Sequence, residues 1–134
     1  MREIAVTTER RTQLVNITRE VEEALAETDA GGASAALVFV PHTTAAVTIN
    51  EHIDPKLTHD FEEALEKIVG DEWRWRHVDA DGANAPSHVR ASVLGPQVLV
   101  PLRDGRLALG TYQGIFFCEF DGPRQRKVYV SALA

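Results

Sequence analysis

Apolar and polar residues alternate along this chain with two different periods, and the switches between them mark its elements. Residues 2–8 and 12–17 are short stretches rich in β-branched side chains, separated by Arg10-Arg11, and predict two strands. Thr18 is placed to cap a helix over residues 19–30. Glu20, Glu22 and Glu23 crowd its first turns, where the helix dipole favours anions. Val21, Ala24, Leu25 and Thr28 share one face, and Gly31-Gly32 is the stop signal. Residues 35–40 form a continuous apolar run, the mark of a buried strand. Pro41 and His42-Thr43-Thr44 follow, and residues 45–50 predict another strand. Asp54-Pro55 starts a second helix, with Asp at the cap and Pro at the first helical position. Leu57, Phe61, Ala64, Leu65 and Ile68 give it an apolar stripe, and Gly70 ends it.

Residues 71–85 lose all periodicity. They hold Trp73, Trp75 and His77, then Asp79-Ala80-Asp81-Gly82-Ala83-Asn84, and predict a long polar connection with tight turns. Pro86 opens a short helix that runs to about Leu94, before Gly95. Residues 98–102 and 106–109 flank Asp104-Gly105 and predict a hairpin. Residues 113–120 and 127–133, around Asp121-Gly122-Pro123-Arg124, predict a second hairpin. Strands and helices do not alternate regularly. The expected fold is therefore α+β, a compact single domain over residues 1–134 with a mostly antiparallel or mixed sheet, two main helices and one short one.

Composition narrows the classes. The 134 residues fit one domain, and 44% hydrophobic content supplies a core. Fourteen basic against 20 acidic residues leave a net charge of −6, which argues against a general nucleic-acid binder. The single cysteine, Cys118, rules out an intrachain disulfide. No apolar run is long enough to span a bilayer, and the first residues lack a signal-peptide core, so a cytoplasmic protein is expected.

Candidate chemistry centres on the five histidines. His42 follows a buried strand, and His77 and His88 bracket the polar connection. Three neutral imidazoles can bind a divalent metal and leave an open coordination position, as catalytic zinc requires; three scattered surface histidines would serve the sequence equally well. His52 and His59, beside or in the second helix, read as solvated. Asn50, Glu51, Asp54 and Asp60 form an acidic cluster that could hold magnesium or act as a base, although Asp54 already has a capping role. The Asp79-Ala80-Asp81-Gly82 run fails the calcium-loop pattern, because its glycine comes too early and the terminal glutamate is missing. Between Ile115 and Phe120 side chains alternate. Phe116, Cys118 and Phe120 face one way, and Ile115, Phe117 and Glu119 the other. Glu119 is thus a carboxylate on an apolar face, which must be paired, protonated or used. Cys118 reads as core. Arg124 could clamp a phosphate or make a surface salt bridge. Trp73 and Trp75, beside Arg74 and Arg76, read as packing or an oligomer contact.

Several segments resemble one family together. His42-Thr43-Thr44-Ala45-Ala46-Val47-Thr48-Ile49-Asn50-Glu51, with Asp54-Pro55 and Asp60, resembles the first block of the YjbQ-like family of secondary thiamine-phosphate synthases. His77 with Asp81-Gly82-Ala83-Asn84-Ala85-Pro86-Ser87-His88 resembles the second block. Gly105, Gly110-Thr111-Tyr112-Gln113-Gly114-Ile115 and Cys118-Glu119-Phe120 resemble the third. Two positions depart from the pattern: Tyr112 stands where the family has tryptophan, and Gln97 where it has serine.

The resemblance implies a compact α+β domain assembled as a homotrimer. It implies a transferase that joins hydroxymethylpyrimidine diphosphate to thiazole phosphate with release of pyrophosphate, regarded in the family as a secondary activity. It also implies a divalent metal, zinc by the histidine chemistry, on His42, His77 and His88, with magnesium an option for a diphosphate substrate. Asn50, Glu51, Asp60, Glu119 and Arg124 are the candidate catalytic groups around a small phosphorylated substrate. A metal-dependent hydrolase and a non-catalytic trimeric metabolite or metal binder are the alternatives.

Overall fold

The computed structural model describes residues 1–78 and 83–134. Its strands are β1 (Arg2–Thr7), β2 (Gln13–Asn16), β3 (Ala35–Phe39), β4 (Ala45–Glu51), β5 (Gln97–Arg103), β6 (Arg106–Leu107), β7 (Gln113–Glu119) and β8 (Gln125–Leu133). Its helices are α1 (Thr18–Ala26), α2 (Pro55–Ile68) and α3 (Ala85–Leu94). The architecture is α+β. A five-stranded sheet, β1-β8-β3-β5-β6, packs against a three-stranded sheet, β2-β7-β4. Every strand pairing among the described residues is antiparallel. None of their helices is long and apolar enough to cross a membrane. The turns expected at Asp79–Gly82 lie outside the described residues.

Period-two patterning explains the layers. On β7, Ile115 and Phe117 enter a core shared with Val38, Val128 and Val130 of the larger sheet and with Val21 and Leu25 of α1. Phe116 and Cys118 enter a second core with Leu65 of α2 and Ala91 of α3. The small sheet is therefore covered on both faces, and for that reason Gly114 through Phe120 are all buried.

Five expectations are corrected. Strands β7 and β8 are not a hairpin: β7 pairs with β2 and β4, and β8 with β1 and β3. Their apolar faces meet across the core, so residues 120–124 form an arch between sheets. The strand expected over residues 106–109 shortens to Arg106–Leu107. Thr18 does not cap α1 but begins it. Asn16 Oδ1 accepts the Thr18 N–H at 3.0 Å, and the Thr18 hydroxyl accepts the Ile115 N–H at 2.8 Å. The helix closes at Ala26, before the glycines, because Glu27 and Thr28 N–H turn back to Ala24 and Leu25 carbonyls. On α2 the predicted stripe holds at Phe61 and Leu65, which pack on the second core, but Ala64 and Ile68 are exposed and Glu62 is buried; Glu62 accepts the Leu14 N–H and pairs with Arg10. Asp54 caps α2 as expected, accepting the Lys56 N–H at 2.9 Å.

The chain passes between the sheets at residues 8–12, 40–44 and 120–124, and hydrogen bonds hold these three crossings together. Thr8 N–H donates to Arg124 O at 2.9 Å, Gly122 N–H to Arg11 O at 3.1 Å and Phe120 N–H to Thr44 O at 3.1 Å. A Cβ on Gly122 would overlap Arg10 O, so only glycine allows this approach. Beneath the crossings lies Glu119, wholly buried. Arg126 donates to its two oxygens from Nε at 2.8 Å and from the guanidinium terminus at 2.5 Å, and the Thr8 hydroxyl donates at 2.7 Å. The Phe120 and Asp121 N–H groups donate to it at 3.1 Å each. Burial pushes the Glu119 carboxyl up, but hydrogen bonds from Arg126, Thr8 and Asp121 outweigh it and hold the pKa below the usual carboxylate value.

Glu119→Gln leaves the Arg126 guanidinium buried without its counter-charge, and is expected to lose about 3–5 kcal/mol at neutral pH in urea denaturation. The folded-state pKa is depressed, so the Glu119 contribution is present above the unfolded carboxyl value of roughly 4.3 and disappears as pH falls through the folded one. The gap between wild type and variant should shrink in acid; a constant gap would show that the carboxylate charge is not the stabilising feature.

Candidate functional site

The crossings at residues 40–44 and 120–124, His77 and the start of α3 surround a cleft of about 730 Å³. Its position follows from local structure. His42 leaves β3 through Pro41, and β3 ends at Phe39, opposite Tyr129 of β8. Two residues further along β8, the Lys127 N–H has no β3 partner, and it donates to His42 Nε2 at 2.9 Å. A backbone N–H can only donate, so Nε2 carries a lone pair and the ring is the neutral Nδ1–H tautomer. Burial first, and the Arg126 charge next, lower the His42 pKa below its ordinary value.

His88 enters from α3. The Ser87 hydroxyl, fully buried, donates to Phe120 O at 2.5 Å and pins the helix to the arch. Asn84, just before the helix, donates from Nδ2 to Asp121 Oδ2 at 3.1 Å, and its Oδ1 is buried without a partner among the described residues. Asp121 also accepts from Arg124, at its carbonyl from Nε at 2.7 Å and at its carboxylate at 2.9 Å. His77 arrives from the irregular segment. Buried Arg90 anchors the start of that segment by donating to Val69 O and to Asp71. The His77 and His88 rings meet edge to face, with centroids 5.1 Å apart.

The cleft thus brings together His42, His77, His88 and Arg124 of the predicted residues. It does not bring the others. Asn50 and Glu51 sit at the far end of β4, about 15–20 Å along the strand from the cleft at the usual rise per residue. They line a separate recess with Leu57 and Phe61 that holds only about 10 Å³. Asp60 is exposed on α2. Glu119 lies behind the cleft, shielded by Arg126, and its role is to hold that arginine. Burial pushes the Cys118 thiol pKa up, and it belongs to the core.

Sequence reading missed Arg126, Thr44, Asp121 and the placement of Asn84. Arg126 carried a usable signal, because it shares the period-two face of Val128 and Val130, as Glu119 does that of Ile115 and Phe117. Asp121 carried none.

A three-imidazole metal set does not fit this placement of His42. Ligation through Nε2 needs the lone pair given to Lys127, and ligation through Nδ1 needs a proton on Nε2 facing that N–H donor. Among the described residues no group of three or more His, Cys, Asp or Glu is arranged to hold a metal. The rings of His77 and His88, which are in contact, are the two imidazoles left for such an ion.

The family model for UPF0047 protein YjbQ-like matches residues 2–134. The chain belongs to the YjbQ-like family. It is 40% identical to UPF0047 protein YugU of Bacillus subtilis, over 99% of this chain and 98% of that one. It is 38% identical to UPF0047 protein MJ1081 of Methanocaldococcus jannaschii, over 96% and 90%. Among solved structures, a YjbQ/UPF0047 family protein of Clostridium acetobutylicum superposes with a TM-score of 0.91 at 39% identity, covering 99% of this chain and 100% of that one. Hypothetical protein APE1520 of Aeropyrum pernix gives 0.89 at 39% identity, over 98% and 96%. These names state a family and no reaction, so thiamine-phosphate synthesis is a proposal for this chain.

In an NMR titration His42 is expected to titrate below roughly 6.5, its unperturbed value. The folded state resists this proton, so the unfolded state takes it up first as pH falls, and the group removes stability through the ordinary imidazole range. A midpoint at or above that value would contradict the burial of this ring beside Arg126.

Proposed function

We propose that this YjbQ-like chain is an enzyme that uses the His42–His77–His88 cleft on a small phosphorylated substrate. The reaction we infer is the joining of hydroxymethylpyrimidine diphosphate to thiazole phosphate. The observation that carries this reading is the convergence of three imidazoles and two guanidinium groups, from four separate stretches of chain, on one cleft of about 730 Å³. That volume is in the range of small-molecule sites.

The chemistry asks little of a base. The thiazole nitrogen already has its lone pair; a C–N bond forms to the carbon that carries the diphosphate, and the C–O bond breaks with its electron pair leaving on pyrophosphate. Rate must come from positioning the two partners and from stabilising the leaving charge. Arg126 is neutralised by Glu119, so Arg124 is the guanidinium available to an anion. Its Nε bond to the Asp121 carbonyl keeps it aimed while an incoming phosphate replaces the Asp121 carboxylate at its tip. The Thr43 and Thr44 hydroxyls line the same wall. Neutral His42 can donate from Nδ1 without bringing a charge of its own. A divalent ion, zinc by the imidazole chemistry, would be held by His77 and His88 and would supply further positive charge for the diphosphate.

We infer a homotrimer as the assembly, as the resemblance to the family implies, and exposed Val93 and Leu99 are candidates for its contacts. Purified chain with both substrates and zinc or magnesium is expected to release thiamine phosphate and pyrophosphate, with a trimer mass in light scattering. Arg124→Ala and His88→Ala should each lower turnover by about 100-fold or more. Tight substrate binding without product would make the chain a non-catalytic binder. Pyrophosphate or phosphate release independent of the thiazole would make it a hydrolase.

A further inference from the structure

We propose that His77 and His88 form a partition between two chambers of one site, and that the second chamber, walled by Trp75, takes a flat aromatic ring of the phosphorylated substrate. This rests on the reading of the main cleft as a phosphate site. The second chamber is an open recess of about 300 Å³ whose wall is mostly carbon, lined by Trp75, Arg76, His77, Ala85, His88 and Val89. The two histidines also line the main cleft, so a molecule anchored there by phosphate reaches the recess past their rings. An enclosed apolar cavity of roughly 150 Å³ accommodates benzene, so this open recess has room for one aromatic ring.

The indole of Trp75 is built as a platform. Its Nε1–H donates to Gly70 O at 3.1 Å, and the Trp75 backbone N–H donates to Trp73 O at 2.9 Å. Trp73 stacks on it with centroids 5.7 Å apart and planes 14° from parallel. Such bracing fixes the ring before a ligand arrives, so stacking costs little ordering entropy. Core packing does not explain the arrangement, because Trp73 is 64% exposed and neither tryptophan belongs to the two hydrophobic cores. The division of labour is chemical. Arg124 and the threonine hydroxyls recognise the anion, and Trp75 selects for a planar apolar ring. Ligands lacking the ring would bind through the phosphate alone.

The test compares methyl phosphate with phenyl phosphate by calorimetry on the full-length protein. Phenyl phosphate should bind about tenfold more tightly than methyl phosphate, the scale of one stacking contact. Trp75→Ala should abolish that preference and leave methyl phosphate affinity unchanged, while Trp75→Phe should keep most of it. In a Trp73→Phe background, phenyl phosphate should quench the remaining Trp75 emission and methyl phosphate should not. If both phosphates bind equally to wild type, the aromatic chamber is wrong while the phosphate cleft stands. If neither binds, the reading of the cleft fails, and this inference with it. If Trp75→Ala instead changes the oligomer mass and leaves the phenyl preference intact, the recess is a contact between copies of the chain, and the proposal is overturned.

Discussion

The buried pairing of Glu119 with Arg126 is the contact on which the rest of this structure depends. Glu119 closes the strand β7 of the small sheet, and Arg126 lies near the start of β8 in the large one. Their bond therefore spans the sheets at the point where the chain passes between them. Thr8 and Thr44 join the pair from the other two crossings, through bonds of 2.7 Å to Glu119 and 2.8 Å to Arg126. A buried ion pair is a poor source of net stability, because both charges lose their water. It is an effective source of specificity, because any other arrangement of the crossings would leave a charge unpaired in a dry interior. The cleft inherits its shape from this fixed point.

The pair also sets the charge seen by a ligand. Arg126 lines the cleft but is spent on Glu119, His42 is held neutral, and Arg124 rests on Asp121. The resting cleft is therefore close to balanced in a chain of net charge −6. An anion binds by exchange, taking the Arg124 tip from Asp121, and the displaced carboxylate keeps its bond from Asn84. Such a site favours a ligand with several oxygen acceptors over a single chloride or carboxylate, because it must replace the bonds it breaks.

Much of this fold was legible in the sequence where a period could be counted. The alternation from Ile115 to Phe120 predicted both faces of β7 and the anomaly of Glu119, and Asp54-Pro55 predicted the start of α2. The β7–β8 connection was misread because a Gly-Pro turn between two apolar strands looks the same whether they pair edge to edge or stack face to face. That choice is made by β1 to β4, which are distant in sequence and compete for the same strand edges. At the site, His42 was legible from its place after a buried strand, and His77 and His88 from bracketing the polar connection. Asn50, Glu51 and Asp60 were grouped with them by closeness in sequence, yet an extended strand moves its far end away by about 3.3 Å per residue. Trp75 and Asp121 sit in irregular segments, which have no period to read.

The central claim is that His42, His77 and His88 belong to a single anion-binding site. Pyrophosphate titrated into protein with labelled histidine rings, at fixed pH and followed by NMR, tests it most directly. The account predicts that these three imidazoles shift together along one binding curve while His52 and His59 stay unmoved. Shifts confined to His52 or His59, or three curves with different midpoints, would contradict it.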